Sequence, residues 1–397
     1  TWIVVLGGGG GVGSIAARTV AMVDDVDEVV VADLRAADAG AVAAGIGRPG
    51  VRAMAVDAAD PASLAAVLDG ADVAVSCIGP FYRFGAPVLA AAIRAGVDFV
   101  DVCDDLDATL AQLELDAAAR EAGVSAVIGM GNSPGLANVL TRYCADQLLD
   151  TVTAVDIMHI HGGEPDEGGA VVRHRIHAMT NDVPVFVDGE QRDVRLLEAS
   201  GAEFVEETEF RDVGTFPVYP YPHPETITLP RHLPGLRRCT NRGVVFPLAY
   251  FQRTMDRVRA GGEVDDMVAD ILADRPQLLA DAGVTGPGGC LKIVVAGAAA
   301  GEDHTYVFSL SSTTEGAGEG TGIPAGLAAI MVARGQIGGA GVHPPEAAVD
   351  PVAMLALAGE VVSHFDIGAD GEGGNRVPIH IDHIRPDGTH ETIDLDL

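Results

Sequence analysis

The segment that most restricts this chain is Gly7-Gly8-Gly9-Gly10-Gly11-Val12-Gly13, set between an apolar run, Trp2–Leu6, and an alanine-rich stretch. Such a run lets backbone approach a ligand where side chains would obstruct it. One register satisfies G-x-G-x-x-G: Gly8, Gly10 and Gly13. The frame from Gly7 meets Val12 at its last position, and the frame from Gly9 meets Ser14. Gly8 would make the tight turn after a first strand, and Gly10 would admit the pyrophosphate of a dinucleotide. Gly13 would let the following helix close on the strand. Gly11 and Val12 would begin that helix, where free amides favour phosphate.

A second apolar run, Glu28–Ala32, ends at Asp33, 20 residues beyond Gly13. A carboxylate there would bond the adenosine ribose hydroxyls and favour NAD. Leu34 and Arg35 follow, and Arg35 could take up a 2′-phosphate, so NADP stays possible.

From residue 1 to 134, short β-branched runs (also 52–56, 73–77, 99–102 and 125–128) alternate with helical stretches (14–22, 61–68, 86–95, 106–122). This alternation predicts an α/β, doubly wound parallel Rossmann sheet covered on both faces. Residues 135–319 read as an α+β second domain with a largely antiparallel sheet. It would hold a helix at 135–148, strands at 152–161 and 183–187, and a proline- and aromatic-rich loop at 216–234. Helices at 242–260 and 264–281 and a strand pair, 292–299 with 304–312, would follow. The segment 341–397 reads as a C-terminal helix, 351–362, and a hairpin, 378–384 with 389–395, across Pro386-Asp387-Gly388-Thr389.

The net charge of −32 argues against nucleic acid and anionic membrane surfaces as partners. No apolar run reaches membrane-spanning length. The opening residues carry no basic flank and read as a strand, not a secretory signal. Five scattered cysteines without a paired spacing fit reduced thiols, so a cytoplasmic protein is expected. A near absence of lysine beside so many carboxylates suits either a salt-rich cytoplasm or a GC-rich genome. Lys292 is the single lysine, so it is the one lysine that could serve a site.

In a doubly wound sheet the ligand lies at the carboxyl ends of the strands. Asp57 follows the third strand, Cys77-Ile78-Gly79-Pro80 the fourth, and Asp101-Val102-Cys103-Asp104-Asp105 the fifth. Gly129 to Gly135 follows the sixth and contains Asn132. The stretches IGPFYRFGAPVLAAAIRAGVDFVDV (78–102), GMGNSPGLANVL (129–140), HPETITLPR (223–231) and GTGIPAGLAAIMVARGQIGGAGVHPPE (320–346) resemble the saccharopine dehydrogenase family. That family includes lysine 6-dehydrogenases, saccharopine reductases and carboxynorspermidine dehydrogenases. The resemblance runs over nearly the whole chain and is weakest at 141–220. It implies a Rossmann domain completed by a late helix at 320–340, and hydride transfer between NAD(P) and an amine carbon through an imine.

Amine oxidation needs a base and an anchor for the substrate. Clustered carboxylates raise one another's pKa, which makes Asp104, then Asp101, the candidate base. Against that reading, Asp104 or Asp105 would simply cap the helix from Leu106. His159 and His161 share one face of a strand, and Arg175 and His177 follow. Arg175 would grip a carboxylate and His159 would shuttle a proton. Tyr82, Asn132, His161, His177 and Arg231 are the substrate-binding candidates, with His223 behind them. Two imidazoles with Glu164 fall short of a zinc site, so no metal is expected. His380 and His383 read as surface residues, and Cys103 as a packing residue.

A lysine 6-dehydrogenase-like enzyme acting on a small amine or amino acid is the leading expectation, with a homodimer as its assembly. Reductive coupling to a secondary amine is the nearest alternative. A non-catalytic NAD(H) sensor and a carbon–carbon double-bond reductase are the others.

Overall fold

The computed structural model describes residues 1–164, 167–312, 317–362 and 379–394. In chain order the elements are β1 (Trp2–Leu6), α1 (Gly11–Val20), β2 (Glu28–Asp33), α2 (Ala36–Ile46), β3 (Val51–Ala55), α3 (Pro61–Leu68), β4 (Val73–Ser76), α4 (Phe81–Ala95), β5 (Asp98–Asp101), α5 (Leu106–Leu113), α6 (Asp116–Ala122), β6 (Ser125–Val127) and α7 (Leu136–Tyr143). Next come β7 (Thr151–Gly162), α8 (Gly169–Thr180), β8 (Val183–Val187), β9 (Glu190–Val194), α9 (Ala199–Ala202), β10 (Glu206–Phe210), β11 (Gly214–Pro220), α10 (Glu225–His232), β12 (Arg238–Phe246), α11 (Leu248–Ala260), α12 (Val264–Asp281), β13 (Gly288–Ala299) and β14 (Glu302–Ser312). The chain ends with α13 (Ala317–Ala333), β15 (Gly341–His343), α14 (Pro345–Ala348), α15 (Pro351–Val362), β16 (Ile379–Ile384) and β17 (His390–Asp394).

Two compact units result, and the chain visits each twice. The first spans Thr1–Tyr143 and resumes at Ala317; the second begins at Cys144 and ends with the β16–β17 hairpin. The first holds a parallel sheet in the order β15-β6-β5-β4-β1-β2-β3. The reversal between β1 and β4 is the switch point at which doubly wound sheets take ligands. Successive residues of β1 enter two different cores. Ile3 and Val5 face α1, α2 and α13, whereas Val4 and Leu6 face α3 and α4.

Helix α13 lies on α1 through glycines. A Cβ at Gly322 would stand 2.6 Å from Val12 O, and one at Gly326 would stand 2.5 Å from Thr19 Cβ. This close approach explains the small-residue composition of the segment. The stretch 341–397, which reads as one C-terminal segment, is shared between the units. Gly341–His343 adds the outer strand beside β6, while the hairpin extends the second sheet. Pro378 and Leu395, the expected hairpin limits, lie outside the described residues.

The second unit carries a mixed sheet in the order β10-β11-β12-β7-β13-β14-β16-β17, with β8 and β9 attached to β12. Two expectations are corrected here. Residues 242–246, expected to begin a helix, instead complete strand β12, which runs parallel to β7, and the helix starts only after Pro247. Residues 216–234, expected as a loop, contain β11 and α10. The prolines at 217, 220, 222 and 224 obscure the period-two pattern Tyr219-x-Tyr221-x-His223. The helix expected at 106–122 is two helices, and the one expected at 135–148 closes in a π turn after Tyr143. Among the described residues, no helix is long and apolar enough to cross a membrane.

Candidate cofactor cradle and polar cluster

In the first unit the glycine loop has the form its spacing predicts. Gly8 N donates to Ala32 O at 2.9 Å, and a Cβ on Gly8 would meet Val31 Cγ1 at 2.7 Å. A Cβ on Gly13 would stand 2.2 Å from Gly7 O, so only glycine lets α1 close on the turn. On the outer side the loop is open: a Cβ on Gly11 would meet nothing within 4 Å. The first helical bond runs from Ser14 N to Gly10 O, so the amides of Gly11, Val12 and Gly13 precede the ladder. Open backbone and free helix-start amides fit the pyrophosphate of a dinucleotide.

Two glycines outside the motif are also required. Gly7 sits at φ +76°, with Cys77 O 2.9 Å from where its Cβ would be. Gly9 donates its amide to Asp33 Oδ2 at 3.1 Å, and Asp33 Oδ1 accepts from Arg35 N at 3.0 Å. Asp33 therefore fastens the loop to the end of β2 as well as presenting a carboxylate. Leu34, 70% exposed, offers an apolar surface beside it that fits an adenine face. Asp57 is used in a turn, accepting from Ala59 N at 2.9 Å. Cys77 is held by Leu6 O, and burial pushes its thiol up to about 12. Ile78 is half-buried, Gly79 and Pro80 are exposed, and Pro80 precedes α4.

The carboxylate cluster after β5 separates into three roles. Asp105 caps α5, its Oδ1 accepting from Ala108 N at 2.9 Å. Asp101 is fully buried: Oδ1 accepts from Gly129 N (2.8 Å) and Cys103 N (3.1 Å), and Oδ2 from Gln112 Nε2. These bonds tie the ends of β5, β6 and α5 together, which corrects the reading of Asp101 as a base. Burial still holds its carboxyl up at about 6, against the opposing hydrogen bonds. Asp104 is half-buried and is not the residue that caps the helix. Cys103 packs against Thr109 and burial raises its thiol, so its packing role stands. Tyr82 is exposed on α4, and Asn132 is half-buried beside Gly320 of α13.

The second unit gathers imidazoles from separate strands. His159 and His161 project from one face of β7 and stack at 6.4 Å; His159 stacks on His223 at 5.2 Å, with Tyr221 edge-on at 5.2 Å. His174 of α8 tilts toward Tyr221 at 6.4 Å. The stack exists because β12 carries Gly243 opposite His159, where any Cβ would stand 2.1 Å from the ring. Burial lowers the His159 pKa well below its usual value, helped by His223 and His161; burial also lowers His161. Asn241 amide nitrogen lies 3.3 Å from His223 Nδ1 and 3.4 Å from the fully buried Glu225. Of this cluster the sequence reading singled out His159 and His161 and ranked His223 behind them. Tyr221, Asn241 and Gly243 it missed, although the Tyr219-x-Tyr221-x-His223 alternation was available.

Arg175 is corrected as a carboxylate anchor. It is buried on α8, ion-paired with Glu167, and lies 5.1 Å over the Tyr250 ring. Arg275 Nε approaches the other Glu167 oxygen at 3.3 Å, and Tyr250 donates to it as well. Glu167→Ala would strand two buried guanidiniums and should cost about 3–5 kcal/mol in urea unfolding. Adding Arg175→Met should recover part of that loss. Arg242, similarly, is committed to Asp156 (3.2 Å) and Glu206. His177 and Arg231 are exposed on α8 and α10, outside the stack. His383 is buried on Tyr306 (4.4 Å) and bonded to His304, contrary to a surface reading. Among the described residues, no three His, Cys, Asp or Glu side chains group as a metal site.

A parallel switch-point sheet with an open glycine loop and an acidic second-strand terminus defines a dinucleotide-binding Rossmann fold. Residues 3–127 match the saccharopine dehydrogenase NADP binding domain. Carboxyaminopropylagmatine dehydrogenase of Synechocystis is 26% identical over 389 residues, 90% of this chain and 95% of that one. The human saccharopine dehydrogenase-like oxidoreductase is 30% identical over 143 residues, 36% of this chain and 32% of its own. The fold matches apo saccharopine dehydrogenase (L-Glu forming) of Saccharomyces cerevisiae with a TM-score of 0.67 at 17% identity, over 99% of each chain. The first unit therefore carries a match to a saccharopine dehydrogenase NADP binding domain, and the fold of the chain is that of saccharopine dehydrogenase.

Proposed function

We propose that this chain interconverts a secondary amine with a primary amine and a carbonyl compound. The observation that carries the proposal is the end-to-end similarity to carboxyaminopropylagmatine dehydrogenase. Balanced, a secondary amine, NAD(P)+ and water give a carbonyl compound, a primary amine, NAD(P)H and a proton. The bound dinucleotide supplies the hydride acceptor.

The chain's own residues have separate duties. Gly11, Val12 and Gly13 amides hold the pyrophosphate, and Asp33 the adenosine ribose. Asp104, half-buried at the carboxyl end of β5 while Asp105 caps α5, holds and returns the proton that leaves the amine nitrogen. In the second unit, His159, His161, His223 and Tyr221 offer an aromatic wall that suits an amine or a cationic tail. Arg175 and Arg242 are spent on internal carboxylates, which favours that wall over an arginine grip.

Absorbance of reduced nicotinamide, followed against paired amines and carbonyl compounds, tests the reading. Consumption of NAD(P)H only when both partners are present supports it, and Asp104→Asn should then reduce turnover by about 100-fold or more. Turnover of a single amine such as lysine, with no second partner, would return the lysine 6-dehydrogenase-like form to first place. Tight dinucleotide binding without turnover on any pair would favour a sensor.

A further inference from the structure

We propose that Asp38 sets the cofactor preference of this chain toward NAD, by holding Arg35 away from the position where a 2′-phosphate would need it. The inference rests on the assignment of the glycine loop as the dinucleotide cradle, and not on the substrate. Arg35 is the one cationic side chain between Glu28 and Ile46. Its guanidinium is paired with Asp38, one turn into α2, and both side chains stand in solvent at 72% and 42% exposure. Asp38 is also part of the loop's border: a Cβ on Gly9 would meet Asp38 Cβ at 2.9 Å and Asp33 Oδ2 at 3.0 Å. Two acidic side chains therefore border the same glycine, and the one guanidinium of the segment is paired with the second of them.

Charge decides what that arrangement accepts. An adenosine ribose with two hydroxyls needs only the Asp33 acceptor. A 2′-phosphate brings close to two negative charges into a group already carrying one net negative charge. It would have to take Arg35 from Asp38 and leave two unpaired carboxylates beside it. Asp33 cannot be altered cleanly, because its two oxygens fasten Gly9 and Arg35 amides. Asp38 has no such duty to the loop backbone. As an exposed ion pair it adds little to stability, so its removal leaves the fold in place.

The test is a titration of the full chain with NADH and with NADPH, read by nicotinamide fluorescence, for wild type, Asp38→Asn, Arg35→Ala and the double variant. Wild type should bind NADH the tighter. Asp38→Asn should lower the NADH-over-NADPH preference by about tenfold, which is 1.4 kcal/mol. The double variant should lose that gain, since Arg35 is then absent. An unchanged preference in Asp38→Asn, or a gain that survives Arg35→Ala, overturns the proposal. So does a wild type that prefers NADPH. Failure of wild type to bind either form overturns both the proposal and the cradle assignment beneath it.

Discussion

Gly13→Ala is expected to weaken NADH binding at least about 100-fold, the effect of misplacing a binding backbone by about an ångström. The new methyl would stand 2.2 Å from Gly7 O and 2.9 Å from Gly8 Cα, so the backbone of the turn must move. Thermal unfolding should report a loss of about 1–3 kcal/mol as well, the usual cost of overpacking. Gly11→Ala is the control. A Cβ there meets nothing within 4 Å, and alanine is the better helix former, so the melting temperature should not fall. Equal loss of thermal stability from both substitutions would mean that the loop geometry described above is wrong.

The second large effect belongs to Asp101. Its folded pKa, about 6, lies above the ordinary 3.8, so the folded chain holds this proton more tightly than the unfolded chain. The associated stability is fully present below about pH 4 and is lost as pH rises through about 6. A rise of about two units corresponds to about 3 kcal/mol. Asp101→Asn should erase this dependence. Its carbonyl can still accept from Gly129 and Cys103, and its amide can donate to Gln112 Oε1, which has no partner, once Gln112 turns over. Urea unfolding of both proteins from pH 4 to 7 should show wild type losing about 3 kcal/mol relative to the variant. Taking the difference removes the contribution of His159 and His161, whose lowered pKa values act in the opposite sense. Parallel pH curves would exclude a proton on Asp101. Asp101→Leu, which leaves three buried donors unanswered, should destabilise the chain at every pH.

What was legible in the sequence was what adjacent residues decide. Gly8, Gly10, Gly13 and Asp33 declare themselves by spacing, because the turn, the helix start and the end of β2 lie within one short unit. Asp104 and Asp105 could not be separated, since either carboxylate can cap α5 and only the backbone angles choose. Arg238–Phe246 carries no local mark of its parallel pairing with β7, in which Arg238 stands beside Ala154, 84 positions earlier. Arg175 presented a guanidinium, but its fate depended on Glu167 just ahead of α8 and on Tyr250 and Arg275 arriving from α11 and α12. The imidazole stack is of the same kind. It needs a glycine on β12 to make room for a ring on β7, and no spacing within either strand records that.

The double visit of the chain to each unit has a consequence for synthesis. Helix α13, which covers α1 through Gly322 and Gly326, and strand β15 leave the ribosome only after the whole of 144–312 has been made. At about 5–20 residues per second that is a delay of roughly ten to forty seconds, during which Ile15, Thr19 and the apolar side of β1 lack their cover. The inserted unit waits in turn for β16 and β17. Neither unit can therefore be released by a single cut. A chain stopped at residue 143 would present an unfinished apolar face to chaperones and proteases, and α1 would gain its cover only once α13 had been made.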